Sequence, residues 1–357
     1  MSEVIEAEVT VIPSSPLRLS LSTEALVSNW QWLRDQGGSA ACGAAIKADG
    51  YGLGAHGVLK HLAYAGCRDF FVATWAEALD ILPVLDDGLS LSVLHGVREE
   101  DMAVALASRA RPVLNSAQQV ARWKEAGGGA CDVMIDTGMN RLGISMDGMD
   151  KSLLDGLEID TLMSHLACAD EEHHLNGIQL MLFGEAKKRF AAKRYSLANS
   201  AGICLGPDYA FDLTRPGLAL YGGMARSECE GNIAPVVTPQ AQVLQRRTVK
   251  GGESVGYGAT FVADRTMEAA TINIGYADGY TRIFSNSGTA LYNGAMLPVI
   301  GRVTMDLVTI DVSAAPEIAE GEWVDMEFDL SFIAMLNDIS QYELLTGLGN
   351  RFARIWT

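Results

Sequence analysis

Residues 44–57 read AAIKADGYGLGAHG. A short apolar run, Ala44-Ala45-Ile46, hands Lys47 to a glycine-rich turn that holds Tyr51, and residues 58–63 read as a helix start. Strand, turn and helix in that order form the first half of a parallel strand–helix repeat. A lysine at the end of a buried strand can be desolvated, which lowers its pKa and makes the amine a nucleophile or a Schiff-base former. A solvated loop lysine is the commoner fate. The balance turns on how many other charged and aromatic residues stand at similar strand ends.

Working outward, the same texture runs from residue 40 to residue 225. The apolar runs are AACGAAIKA, DFFVAT, LSVLHG, RPVLN, CDVMIDTG, TLMSHLA, YSLANS and FDLTRPG. Helix-like stretches such as WAEALDILPVL, SAQQVARWKEAG and IQLMLFGEAKKRFAAK lie between them. Eight alternations predict an N-terminal (β/α)8 TIM-type barrel over residues 17–226. An open doubly wound sheet competes, and periodicity alone does not separate the two. Beyond, β-rich runs bounded by Gly, Asn and Asp appear: AQVLQRRTVK, ATINIGYADGY, TALYNGAMLPVIGRV, DLVTIDV and EWVDMEF. They predict an all-β C-terminal domain over residues 227–357, to which EVTVI, within residues 1–16, could add a strand. The fold class is thus α/β plus all-β, with the boundary expected in ARSECEGNIAP.

A chain of 357 residues is long enough for two domains. Its net charge of −17 argues against nucleic acid or an anionic membrane as partner, since both are bound through basic patches. The acidic start MSEVIEAEVTVIPSSP lacks the basic and apolar regions of a signal peptide, and no apolar run reaches membrane-span length. The six cysteines, Cys42, Cys67, Cys131, Cys168, Cys204 and Cys229, are far apart and form no C-x-x-C pair, as expected of reduced thiols in the cytoplasm. His173 and His174 follow Asp170-Glu171-Glu172, which reads as a solvated helix start rather than a metal site, so no metal is expected.

In the barrel reading Lys47 follows the first strand, Arg141 the fifth, His165 the sixth, Ser200 the seventh and Arg215 the eighth. Catalytic groups of parallel barrels gather at that C-terminal rim, so the pattern predicts an active site. One competing motif is Gly52-Leu53-Gly54-Ala55-His56-Gly57, a G-x-G-x-x-G with Asp69 at the distance of a ribose-binding acid. A lysine on the strand and an aromatic in the turn are awkward where a pyrophosphate must approach bare backbone, and the Schiff-base reading is preferred.

The blocks IKADGYGLGAHG, DTGMNRLG, SHLACAD, ANSAG, RPGLALYGG, SVGYGATF, IGYADGY and GRVTMD occur in one order between Lys47 and Arg351. Together they resemble alanine racemases, pyridoxal-phosphate enzymes with an N-terminal barrel and a C-terminal β domain. The resemblance implies that Lys47 carries the cofactor covalently and serves as one base, with Tyr257 as the second base. It implies that Tyr51, Ser200, Gly217 and Leu218 hold the cofactor phosphate, as small residues and exposed N–H groups suit a dianion. Arg215 would face the pyridine nitrogen, and His165 would link Tyr257 to Arg215. Arg141 would contact the cofactor's phenolic oxygen and the substrate carboxylate, with the backbone of Met305, beside Asp306, adding a donor. Asp170, Tyr276, Arg282 and Arg302 match residues of a narrow substrate corridor suited to a small amino acid. Tyr257 and Met305 would serve the partner's barrel, which implies a homodimer with shared sites.

Two departures stand out. Met134 takes the place of a lysine that many relatives carbamylate, and Asn350 stands where several relatives are expected to have a phosphate-binding tyrosine. A racemase of broader specificity is the nearest alternative. A fold-related decarboxylase would want an acid at the Arg215 position, and a non-catalytic pyridoxal-phosphate carrier would lack the β domain.

Overall fold

The computed structural model describes residues 14–147 and 150–357. The described residues divide into two compact units, one holding residues 20–147, 150–238, 328–348 and 356–357, the other residues 14–19, 239–327 and 349–355.

Strand β1 (Leu17–Leu21) buries Leu17, Leu19 and Leu21 and leaves Arg18 and Ser20 half-buried, the alternation of a strand with one covered face. In the first-named unit, β2 (Ala41–Cys42), β3 (Ala44–Ala45), β4 (Asp69–Val72), β5 (Ser90–Val93), β6 (Arg111–Leu114) and β7 (Cys131–Asp136) follow in chain order. Then come β8 (Ile144–Ser145), β9 (Ile159–Met163), β10 (Arg194–Ser196) and β11 (Leu213–Thr214). Neighbours from β3 to β10 pair in parallel, β8 only extending the end of β7, and β11 pairs in parallel with β2. Two hydrogen bonds close the remaining gap: Asp212 N–H donates to Tyr195 O (3.0 Å) and Arg215 N–H to Ala198 O (2.9 Å). β2 and β3 are one stave interrupted at Gly43, where a Cβ would stand 2.8 Å from Asp69 O. The result is a ring of eight staves, the predicted (β/α)8 barrel.

Residues of β4 and β7 are buried almost without alternation, as strands covered on both faces require. The helices between staves start on side-chain caps: Thr74, Ser116 and Asn199 each accept a backbone N–H of the turn they open. At the strand starts the charges neutralise one another. Arg194 pairs with Asp69 and Asp160, and Arg111 with Asp132 and Asp160. That network plugs one end of the barrel and leaves the strand ends for other groups.

The second unit holds β12 (Val237–Val249), β13 (Ser254–Val255), β14 (Phe261–Val262), β15 (Met267–Ile272) and β16 (Thr289–Tyr292). β17 (Ala295–Pro298), β18 (Val308–Asp311), β19 (Trp323–Met326) and β20 (Ala353–Trp356) complete it. The long β12 pairs antiparallel with β19 along its first half and with β15 along its second. β16 and β17 form a hairpin whose turn, Asn293 (φ 48°) and Gly294 (φ 84°), has the two left-handed residues such a turn needs. Val249, Val255, Met267 and Ile300 are among the buried residues of its core.

Three boundaries differ from the sequence reading of 17–226 and 227–357. Residues 227–238 stay with the barrel, because Ala234 exchanges hydrogen bonds with the buried Asn29 side chain (2.8 and 2.9 Å) and Ser22 N–H reaches Val236 O (2.9 Å). Residues 328–348 also belong to the barrel unit: Gln341 clasps the Met224 backbone from both sides (2.7 and 2.9 Å). Conversely, the start of β1 joins the β unit, where the Arg18 guanidinium lies over the Trp323 ring (4.0 Å). The EVTVI run falls outside the described residues.

Candidate active site

The strand ends of the barrel converge on a cavity of about 550 Å³. Lys47 enters it after β3, Arg141 after β7, His165 after β9, Ser200 after β10, and Arg215, Gly217 and Leu218 after β11. Tyr51 lines it as well. Three cationic side chains and no carboxylate face this space, in a chain with a net charge of −17. Such a cavity favours an anionic occupant.

Lys47 opens a turn, Lys47–Tyr51, in which Ala48, Asp49 and Tyr51 all take positive φ (53°, 52° and 56°). Each costs about 1–2 kcal/mol for a residue bearing a Cβ, so the surroundings must hold the turn in place. The Lys47 amine is half-buried. Burial lowers its pKa from the usual lysine value, as do the Arg141 and Arg215 guanidinium groups, while Glu77 opposes them.

The Tyr51 ring stacks on Tyr221 (4.6 Å between centroids) and leans towards Tyr342 (6.1 Å). The Tyr221 hydroxyl donates to Ala45 O (2.8 Å), fixing the stack beneath the Lys47 strand. A Cβ at Gly217 would stand 2.1 Å from the Tyr51 hydroxyl oxygen, so only glycine admits this approach. The Ser200 hydroxyl accepts the N–H groups of Gly217 (2.9 Å) and Ala219 (3.2 Å), tying the seventh and eighth strand ends together.

Arg215 is buried; it donates to Ser164 O (2.6 Å) and to the Ser196 hydroxyl. Burial pulls its pKa down to about 10, which still leaves it charged at neutral pH. Behind the rim, the fully buried Gln179 side chain accepts Ala167 N–H (2.9 Å) and donates to His165 O (2.9 Å), which fixes the backbone carrying His165. Burial, and the nearby Arg215, Arg141 and Lys47, lower the His165 pKa from 6.5 to about 3. The imidazole is therefore neutral. The unfolded chain takes up a proton near 6.5 that the folded chain refuses until about 3. Acidification through that window therefore weakens folding, by about 1.4 kcal/mol per pH unit for this one group. In His165→Gln the urea midpoint of the barrel should fall less steeply with acid than in the parent chain. Parallel profiles would show that His165 is not the group responsible.

Tyr257, Tyr276, Arg282, Arg302 and Met305 come together separately, in the β unit, around a groove of about 1480 Å³. Tyr257 stands 74% exposed between Gly256 and Gly258, both at positive φ. The Arg302 guanidinium covers Gly258, with Cζ 3.3 Å from where a Cβ would be. Asp306 pairs with Arg351 (2.7 Å), which also grips the buried Asp278 (2.6 and 2.8 Å). Asp170 is exposed in the barrel unit, close enough to Tyr342 to add to the rise that burial imposes on that phenol's pKa.

Comparison with known proteins decides the family. The description "Alanine racemase, N-terminal domain" matches residues 21–225, and "Alanine racemase, C-terminal domain" matches residues 236–356. This chain belongs to the alanine racemase family. It is 42% identical to a catabolic alanine racemase of Agrobacterium fabrum, covering 94% of this chain and 91% of that one. It is 41% identical to an alanine racemase of Rhodospirillum rubrum, with 94% of both chains covered. The solved alanine racemase of Bartonella henselae, which carries covalently bound pyridoxal phosphate, superposes with a TM-score of 0.87 at 34% identity, over 97% of this chain and all of that one.

The departures can now be placed. Met134 is buried and lines the cavity near Arg141; a thioether cannot carry a carbamate. Asn350 belongs to the β unit, whereas Tyr342, in the barrel unit, lines the cavity. Tyr342 is not among the residues that the sequence points to, because residues 328–348 read as part of the β domain and fold instead with the barrel unit. A signal was there in Ser340-Gln341-Tyr342-Glu343, whose Ser–Glu spacing is a capping box and does close as one.

Proposed function

We propose that this chain is a pyridoxal-phosphate-dependent alanine racemase, converting L-alanine to D-alanine and back by a two-base mechanism. The observation that carries the reading is the cavity with Lys47, Arg141 and Arg215 at its wall and no carboxylate. A cofactor with an aldehyde, a phosphate and a ring nitrogen fits that donor set. Bound there, pyridoxal phosphate acidifies the α-hydrogen of an amino acid by drawing electron density into its ring.

The chain's own groups do the rest. Lys47 would anchor the cofactor; the hydroxyls of Tyr51, Ser200 and Tyr342, with the backbone of Gly217 and Leu218, would hold its phosphate. Arg215 would donate to the ring nitrogen. Because a guanidinium keeps its proton, it leaves that nitrogen without one, and the weaker electron sink favours returning a proton to Cα over losing the amino or carboxyl group. Arg141 would hold the substrate carboxylate, helped by the Met305 backbone of the partner subunit. Lys47 would move a proton at Cα on one face and Tyr257 of the partner subunit on the other. A phenol near its ordinary pKa of about 10 is a poor base at neutral pH. His165, itself kept neutral, would link Tyr257 to Arg215 by hydrogen bonds, and the cationic groups around it would favour the phenolate over the phenol. Asp170, with Tyr276, Arg282 and Arg302, would line the way in for a small zwitterion.

The shared site makes a two-fold homodimer the working unit. Its place is the cytoplasm, where thiols stay reduced, and its product D-alanine serves peptidoglycan. No helix of the described residues is long and apolar enough to cross a membrane.

The test is direct. The purified protein, supplied with pyridoxal phosphate, should drive the optical rotation of L-alanine to zero and yield equal amounts of both enantiomers by chiral chromatography. The same screen over other L-amino acids measures specificity. Carbon dioxide or ammonia release without D-alanine would overturn the reading.

A further inference from the structure

The turn carrying Lys47 is wound left-handed through three residues that bear a Cβ, and its internal bonds are few. Gly50 N–H reaches Ile46 O (2.8 Å), Gly52 N–H reaches Ala48 O (2.9 Å) and Gly54 N–H reaches Asp49 O (2.8 Å). The support from outside is Glu77, on the helix Trp75–Ile81. Its backbone N–H donates to the Thr74 hydroxyl (3.2 Å), and its Oε2 accepts the N–H groups of Thr74 (3.1 Å) and Ala73 (2.6 Å). That is a complete capping box, and a capping box uses one oxygen of its acid. Oε1 is used elsewhere: it accepts Ala48 N–H at 2.7 Å, the amide directly after Lys47.

A glutamine would cap this helix as well as a glutamate. It could not accept at both ends, because its amide nitrogen would then face one of the N–H groups. The need for a carboxylate therefore comes from the Lys47 turn and not from the helix. Charge points the same way. Around the Lys47 amine stand Arg141 from the loop after β7, Arg215 from the loop after β11 and the neutral His165 after β9, and Glu77 is the group that opposes the two guanidiniums. Asp49, on the turn itself, spends its carboxylate on Ala55 N–H (2.8 Å).

We propose that Glu77 is a positioning residue for Lys47: one carboxylate oxygen braces the left-handed turn against the end of β4 while the other caps its own helix, and its charge offsets Arg141 and Arg215 at the amine. Residues 47–51 and the second strand end are thereby locked into one piece. The inference rests on Lys47 being the cofactor lysine.

The experiment compares the full-length protein, reconstituted with pyridoxal phosphate, with Glu77→Gln, Glu77→Asp and Thr74→Ala. Borohydride reduction and peptide mass mapping of the parent chain first locate the cofactor; a label away from Lys47 overturns the functional reading by itself. The bound cofactor's absorbance is then titrated against pH, and amide hydrogen exchange is followed across residues 48–54. Glu77→Gln should move the titration midpoint down by about half a pH unit or more, since a negative charge beside a cation has been lost. Its Gly50, Gly52 and Gly54 amides should exchange at least about tenfold faster. Glu77→Asp keeps the charge but not the reach: it should hold the midpoint and share the faster exchange. Thr74→Ala breaks the cap alone and should lower thermal stability with both Lys47 readouts unchanged. Parental midpoint and exchange in Glu77→Gln would overturn the proposal, and so would a Thr74→Ala variant that reproduces both changes. The exchange comparison stands even if the label lies elsewhere, so the two failures are distinguishable.

Discussion

Lys47→Ala should lose covalent cofactor altogether and lower racemisation by about 10⁴-fold or more, because one substitution removes both the anchor and a base. The barrel should survive it. Lys47 is half-buried at a rim and makes no contribution to the strand-start ion network that Arg194 and Arg111 supply. Relieving a desolvated amine between Arg141 and Arg215 also removes a like-charge cost. The variant should therefore keep the parental thermal midpoint or exceed it slightly. After borohydride and exhaustive dialysis the parent chain should hold the cofactor mass on the Lys47 peptide and the variant none. A variant that retains the mass would place the anchor on another lysine.

Tyr257→Phe should give the second large effect, a loss of about 10²–10⁴-fold in racemisation, the range for removing a general base. The loss should be one-sided. In deuterated buffer the variant should still exchange the α-hydrogen of D-alanine, where Lys47 is the proposed base, and should leave that of L-alanine in place. Structural damage would impair both enantiomers alike, so the asymmetry separates a base from a packing residue. Tyr257 is 74% exposed in the chain and its hydroxyl supports no internal packing, so folding should be untouched. Equal and near-parental exchange of both enantiomers would remove Tyr257 from its role.

The barrel was legible because its strands are short apolar runs, five of which deliver one chemically distinctive residue. Lys47, Arg141, His165, Ser200 and Arg215 follow the first, fifth, sixth, seventh and eighth staves, as the spacing of the runs predicts. What could not be read was long-range or conformational. The helix Leu330–Asn337, LSFIAMLN, is apolar nearly all round and short, so no 3.6-residue stripe marks it, and nothing local shows that Gln341 will clasp Met224. Tyr342 was lost with it. The alternation in LRLSL does announce a half-buried strand, but not which of two sheets it joins. The left-handed winding at Ala48, Asp49 and Tyr51 leaves only a hint in sequence, the glycines at 50, 52 and 54. In sequence Thr74-x-x-Glu77 has only the spacing of a capping box, and the second oxygen of Glu77 is committed only once the first two strand ends lie side by side.

The central claim is that one site takes Lys47 from one chain and Tyr257 from another, and subunit mixing tests it most directly. Lys47→Ala and Tyr257→Phe homodimers, each inactive, are to be unfolded together, refolded with pyridoxal phosphate and assayed for D-alanine formation. With random pairing half the dimers are mixed, each with one site carrying both lesions and one carrying neither, so activity should recover to about a quarter of the parental value. Absence of recovery, with mixed dimers demonstrated by differential tagging, would place both bases on one chain and contradict the account.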